Sequence, residues 1–182
     1  WQRKPREGEE TALGNWAGCG QAVEAFPDPL AIGVSISRDR EFASIGTCGM
    51  VDDIPLVSLN QRREGTDWLA GEAARISKAY RIPVIVDTGS NTGKKLAQAI
   101  RDDGGTVVEA SLDDYVAACS DIFDRVRDQR IIHPNNPTLT EHVEAARWRP
   151  VGDARRVWGH RVSSGDIDGI VAATLALWGA VR

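Results

Sequence analysis

Three strand-like runs open the patterned part of the chain: Leu30 to Ser37 (LAIGVSIS), Glu41 to Met50 (EFASIGTCGM) and Pro55 to Gln61 (PLVSLNQ). The breaks between them, Arg38 to Arg40 and Asp52 to Asp53, are short and polar. Breaks of that length admit only tight turns, so antiparallel hairpins are predicted. The period then changes: after Thr66, a predicted cap, Leu69, Ala73, Ile76 and Tyr80 recur with the spacing of one helical face. Next comes RIPVIVDTGSNTGKKLAQ, Arg81 to Gln98. Pro83 to Val86 are apolar on both faces, as in a covered and mostly parallel strand, and they deliver Asp87 to its carboxyl end. A Gly/Ser/Asn/Thr loop follows, and then a helix from about Gly93.

Thr106 to Ala110 (TVVEA) predicts a fifth strand. Ser111 and Asp114 form a capping-box signature for a helix with an apolar stripe of Tyr115, Val116, Cys119, Ile122, Phe123 and Val126. Thr138 and Glu141 repeat the signature ahead of a helix to about Ala146, and Arg147 to Val151 and Val157 to Val162 flank GDARR as a hairpin. Asp166 to Ala180 reads as the last helix, with Ile167, Ile170, Val171, Thr174, Leu175 and Trp178 inward. Residues 1–28 are charged, Gly- and Pro-containing and without period; they are expected to be a linker, with Trp16 as an anchor. A right-handed crossover from the hairpins sets the Asp87 strand parallel beside the Leu30 strand. The expected fold is therefore α/β and ribonuclease H-like (RNase H-like): a mixed five-stranded sheet flanked by helices, with a carboxyl-terminal hairpin and a final helix.

A chain of 182 residues with 42% hydrophobic content buries one core, so residues 29–182 are expected to form one domain. Met50 is the single methionine, as expected of a piece of a longer protein. The net charge of -4 excludes a generally basic coat while leaving room for a local basic patch. Cys19, Cys48 and Cys119 are odd in number and lack metal-ligand spacing, which suits free thiols in a reducing compartment. No apolar run approaches the roughly 20 residues of a membrane span, so a soluble, intracellular protein is expected.

In covered parallel sheets ligands bind off the carboxyl ends of the strands, which makes Asp87 the residue around which a site is expected. The alternative is that Asp87 only satisfies N–H groups of the following turn. The loop is not a phosphate-binding P-loop: three residues separate Gly89 from Gly93, and Lys95, not Ser or Thr, follows Lys94. The expected topology converges the Leu30 to Ser37 strand, Asp87 and the SSGDIDG segment with Asp166 and Asp168. Carboxylates with no balancing base repel one another and suit hard divalent cations; two such ions polarise water and neutralise a leaving oxygen in phosphodiester hydrolysis. Against this, Ser163 and Asp166 also fit a capping box. Arg147, Arg149, Arg155, Arg156 and Arg161, with His160, crowd one hairpin and suit phosphate contacts, and Lys94 and Lys95 at a helix start add two more. His133 is expected to be structural, His142 exposed, and Trp68, Trp148, Trp158 and Trp178 to pack.

From Ala31 onward the chain resembles the nuclease domain of the large terminase subunit of tailed bacteriophages, in the form met in phages of actinobacteria. AIGVSISRDR, REGTDWLAG, VIVDTGS, the IIHPNNPTLTEHVEAARWRPVGD run and above all SSGDIDGIVAATLALWG carry the resemblance. It implies metal-dependent endonuclease activity on double-stranded DNA during genome packaging, with two Mg2+ or Mn2+ ions. Asp87 and Asp166 match family catalytic and metal-binding positions, and Asp168 is a neighbouring ligand. Ser35 stands where relatives have a first-strand aspartate, and a hydroxyl bridges two cations poorly. Asp39 is no substitute, being four extended residues, roughly 13 Å, further on. Implied partners are the portal protein, the small terminase subunit and the amino-terminal ATPase domain; the implied location is the host cytoplasm, transiently at the procapsid portal. The alternatives are a catalytically silent DNA- or portal-docking module and a cellular Holliday-junction resolvase-like nuclease.

Overall fold

The computed structural model describes residues 11–182. Five strands, β1 (Ala31–Ile36), β2 (Phe42–Val51), β3 (Ile54–Glu64), β4 (Val84–Asp87) and β5 (Val107–Ala110), form one sheet in the order β3-β2-β1-β4-β5. The three hairpin strands pair antiparallel, and β1 pairs parallel with β4 and β4 with β5. This is the expected mixed sheet. β3 runs beyond the expected end at Gln61 to Glu64, and its register with β2 shifts between Ile45 and Gly46.

Helices α1 (Leu69–Tyr80) and α2 (Asn91–Asp102) cover one sheet face, where Ile32, Val34, Ala43, Ile45, Val84 and Val86 meet Leu69, Ala73, Ala97 and Ile100. Helices α3 (Leu112–Arg127), α4 (Pro137–Ala145) and α5 (Asp168–Val181) belong to the opposite side with the short hairpin of β6 (Trp148–Pro150) and β7 (Arg156–Trp158). α5 is apolar nearly all round, as a helix enclosed by other elements must be. It lies close against β1 and β2 because the sheet presents glycines there: a Cβ at Gly33 would fall 2.1 Å from the Ala172 carbonyl oxygen, and one at Gly46 2.5 Å from the Ala173 nitrogen.

The Ser111–Asp114 capping box forms at the start of α3. The other expected starts are corrected. α1 begins at Leu69, and Thr66 contributes its carbonyl to the Leu69 N–H rather than a side-chain cap. α4 is capped by Asn136, whose Oδ1 accepts from the Leu139 N–H, with Pro137 pre-setting the first turn; no Thr138–Glu141 box forms. α5 begins at Asp168, not Asp166, since the Ser163 hydroxyl is committed to the Gly159 carbonyl and the Arg147 N–H. Nδ1 of His142 accepts the Gly169 N–H at 2.8 Å, so this histidine, expected to be exposed, is buried. The imidazole thereby does the work of a cap, and burial pushes its pKa down.

Within the expected linker, Leu13, Trp16 and Cys19 are buried in the core. Trp16 stacks on His133 with ring centroids 3.9 Å apart and donates to Thr140, while His133 Nε2 meets the Trp16 carbonyl at 2.7 Å. His133 is structural, and from Thr11 to Gly20 the supposed linker is packed on the domain; residues 1–10 lie outside the described part. Among the described residues no helix is long and apolar enough to cross a membrane.

The glycine contacts set a quantitative expectation. Gly46→Ala drives a methyl into helix backbone, and overpacking of this kind costs about 1–3 kcal/mol. Denaturant unfolding should register that loss; a stability equal to that of the parent chain would show that α5 stands off further.

Candidate functional site

The site begins with register. β1 and β4 pair Ile32 with Val84 and Gly33 with Ile85; two residues on, along the same face, come Ser35 and Asp87. Ser35 pairs with Ser44 of β2, and Ser44 with Arg62 of β3. Arg62, Ser44, Ser35 and Asp87 thus form one row across four strands, on the face that carries α5.

At the Asp87 end of the row a cavity of about 470 Å³ opens, walled by Ser35, Asp87, Ser90, Tyr115, Arg149, His160 and Arg161 among others. α2 starts directly against the end of β4 because residue 93 is glycine: a Cβ there would lie 1.9 Å from the Asp87 carbonyl oxygen. Ser90 caps the helix by accepting from the Gly93 N–H. Asp87 is half-buried, and one oxygen accepts the Gly89 N–H at 3.0 Å. The turn-satisfying role is therefore real, and it coexists with the cavity. Burial pushes the Asp87 carboxyl pKa up, against the Gly89 hydrogen bond and the positive fields of His160 and Arg149.

At the other end lies the start of α5. Asp168 is wholly buried, receives the Ser44 hydroxyl, and is gripped by Arg62 through Nε at 2.9 Å and Nη2 at 3.2 Å. The same Nη2 reaches Asp166 at 2.8 Å. These acids were expected to lack a balancing base; Arg62 is that base. Burial works against the guanidinium's charge, but the bonds and charges of Asp168 and Asp166 outweigh it. Asp166 lines an adjoining cavity of about 320 Å³ with Arg38, Asp39 and His160. His160 lines both cavities. Burial pushes its pKa down while Asp168, Asp87 and Asp166 pull it up, so all three acids bear on one imidazole.

No protein-family model and no curated protein sequence matches the chain. Solved structures match its fold. The HK97 bacteriophage large terminase aligns with a TM-score of 0.74 at 16% identity, covering 91% of this chain and 42% of that one. The large terminase nuclease from thermophilic phage G20c aligns with a TM-score of 0.68 at 15% identity, covering 94% of this chain and 97% of that one. The fold is that of the large-terminase nucleases. The G20c nuclease with bound magnesium shares it, at a TM-score of 0.65 and 16% identity over 93% of this chain and 95% of that one. The chain thus spans less than half of the HK97 protein and nearly all of the G20c nuclease.

The basic residues divide on this terminase-nuclease fold. Arg149 and Arg161 line the Asp87 cavity. Arg155 pairs with Asp113, Arg156 lies 4.5 Å from both the Phe123 and Trp148 rings, and Arg147 donates to the Glu144 and Ala146 carbonyls. Three of the five hairpin arginines are therefore engaged within the molecule. Lys94 and Lys95 are exposed in the first turns of α2, and Lys95 lines a separate cavity with Arg40 and Thr92. Of the expected tryptophans, Trp158 is buried under Trp148, ring centroids 3.8 Å apart, and donates to Thr174.

The donor set offers a divalent ion one carboxylate, that of Asp87, with water and a substrate phosphate left to complete any coordination, and it does not fit a pair. Asp87 is the one acid lining its cavity, Ser35 adds only a neutral oxygen, and Asp166 and Asp168 are occupied by Arg62. Among the described residues no group of three or more His, Cys, Asp or Glu side chains is placed to hold a metal. Sequence reasoning missed Arg62, Ser44 and the central position of His160. The signal for Arg62 lay in LNQRRE, which continues β3 in alternating polar residues past the expected end.

Asp87 gives a pH test. Its folded pKa is raised, so the stability linked to its protonated form is fully present below about pH 3.9 and lost as pH rises through the folded value. Asp87→Asn keeps an acceptor for Gly89 and removes the charge. It is expected to raise the melting temperature at pH 7 and leave it nearly unchanged at pH 3; a lower melting temperature at pH 7 would contradict the assignment of Asp87 to a desolvated site.

Proposed function

We propose that the chain is the nuclease domain of a phage DNA-packaging terminase, which engages double-stranded DNA at the β1–β4 end of the sheet. It hydrolyses the phosphodiester backbone with Mg2+ or Mn2+ held at Asp87. The observation that carries this reading is the placement of a desolvated carboxylate at the carboxyl end of a parallel strand, in a cavity walled by Arg149, His160 and Arg161. A divalent ion bound there would polarise a phosphoryl oxygen and lower the pKa of a coordinated water. The chain's own groups do the rest. Asp87 and the Ser35 hydroxyl offer oxygens; Arg149 and Arg161 hold backbone phosphate without reading bases. His160, its pKa lowered by burial, is a neutral hydrogen-bond partner at pH 7. Lys94 and Lys95, exposed on α2, extend the phosphate track.

One arrangement favours a second reading, a domain of the same fold that docks DNA or the portal without cutting: Ser35 replaces the first-strand acid, and Arg62 neutralises the α5 acids. The ATPase domain, portal protein and small terminase subunit belong to the proposal for the whole packaging protein, as does the host cytoplasm.

Supercoiled plasmid with Mn2+ separates the two readings. Cleavage blocked by chelator and reduced to background in Asp87→Ala supports the nuclease; binding without cleavage by the parent chain supports docking. A strong preference for four-way junctions over linear duplex would point to a resolvase-like role. In duplex binding, replacing Arg149 and Arg161 together by Ala should flatten the log–log salt slope by roughly 0.9 per lost phosphate contact. An unchanged slope would remove both from the DNA path.

A further inference from the structure

We infer that Arg62 is a built-in cation standing where a second divalent ion would otherwise bind, so that this site takes one metal ion instead of two. Its location rests on the nuclease reading; the charge argument rests on the residues alone. Two carboxylates, Asp166 and Asp168, meet at the start of α5, and the guanidinium reaches both: Nε and Nη2 to Asp168, Nη2 to Asp166 at 2.8 Å. Ser44 fills a further lone pair of Asp168 with its hydroxyl. Arg62 is not a loosely held surface side chain. Its guanidinium carbon lies 4.1 Å from the centre of the Phe42 ring, and its side chain is only 17% exposed. A planar, permanently charged fork suits two carboxylates that are to stay paired, and it cannot be neutralised to let a metal in.

Charge and register support the same assignment. The acids supply two negative charges and Arg62 cancels one, so a divalent ion placed between them would face a guanidinium at contact distance, a repulsion worsened by partial burial. In the row Arg62, Ser44, Ser35, Asp87 the two central members are neutral hydroxyls, so no carboxylate lies between Asp87 and the α5 acids to be shared by two ions. The row is thus cationic at its β3 end and anionic at its β4 end. Within this row, the carboxylate not shared with a guanidinium is that of Asp87.

The test is the number of Mn2+ ions bound per chain, from calorimetric titration and from electron paramagnetic resonance of free Mn2+. The parent chain is expected to bind one, lost in Asp87→Ala. Ser35→Asp should tighten that ion and leave the count at one. Ser35→Asp combined with Arg62→Gln should bind two, whereas Ser35→Asp with Arg62→Lys, which keeps the charge, should bind one. Because Arg62→Gln uncovers a buried carboxylate, its stability is a second readout. Mn2+ should raise its melting temperature, or restore its helical circular dichroism if it is unfolded without metal, by more than it does for the parent, and the extra shift should vanish when Asp168→Asn is added. Two ions bound by the parent chain, or a count and a thermal shift unmoved by Arg62→Gln in both backgrounds, would overturn the inference. A parent chain that binds no ion, with Arg62→Gln gaining one that depends on Asp168, would sink the metal at Asp87 and leave the built-in cation standing.

Discussion

A carboxylate with no exposure to water stands at the first residue of α5, and the surrounding structure is arranged to make that tolerable. Asp168 is satisfied by Ser44 from β2 and Arg62 from β3, so a single charge joins the last helix to two neighbouring hairpin strands. Removing one partner from a buried pair costs about 3–5 kcal/mol, a large share of the roughly 5–15 kcal/mol that holds a whole domain together. The glycines at positions 33 and 46 let α5 lie close enough for that contact, and its alanines fill the space the glycines leave. Tight helix–sheet packing and the ion pair are one arrangement.

The same arrangement divides the site. Asp166 and Asp168 are drawn toward β3 and neutralised there, while Asp87 sits across the sheet in its own cavity. His160 borders both cavities. The fold is shared with phage large-terminase nucleases, yet the charges on it are distributed differently from the unbalanced acid cluster that its sequence suggests.

Much of this was legible in the residues. Short polar breaks gave the hairpins, the doubly apolar run before Asp87 gave the parallel strand, and Ser111 with Asp114 gave a true capping box. Local signatures failed where tertiary partners outbid them: Thr138 lost to Asn136, and Ser163 turned from Asp166 to the hairpin backbone. Arg62 was hidden for a sharper reason. The Asp52–Asp53 turn pairs Val51 with Ile54 and, continued without interruption, would set Gln61 opposite Ser44; the irregularity at Ile45/Gly46 advances β3 by one residue. A one-residue shift exchanges the faces of a strand, so the bulge turns Arg62 to α5 and leaves Gln61 bonded to Glu72 of α1. Nothing local in the sequence marks that bulge. Trp16 was legible as an anchor, as its burial against His133 bears out, whereas His142 was obscured because its partner, Gly169, lies far along the chain.

The most direct measurement is anomalous diffraction from crystals of the chain grown in Mn2+. One peak beside Asp87 is expected, with Arg62 still bridging Asp166 and Asp168. A second peak between those two acids, with the guanidinium swung away from them, would contradict that expectation.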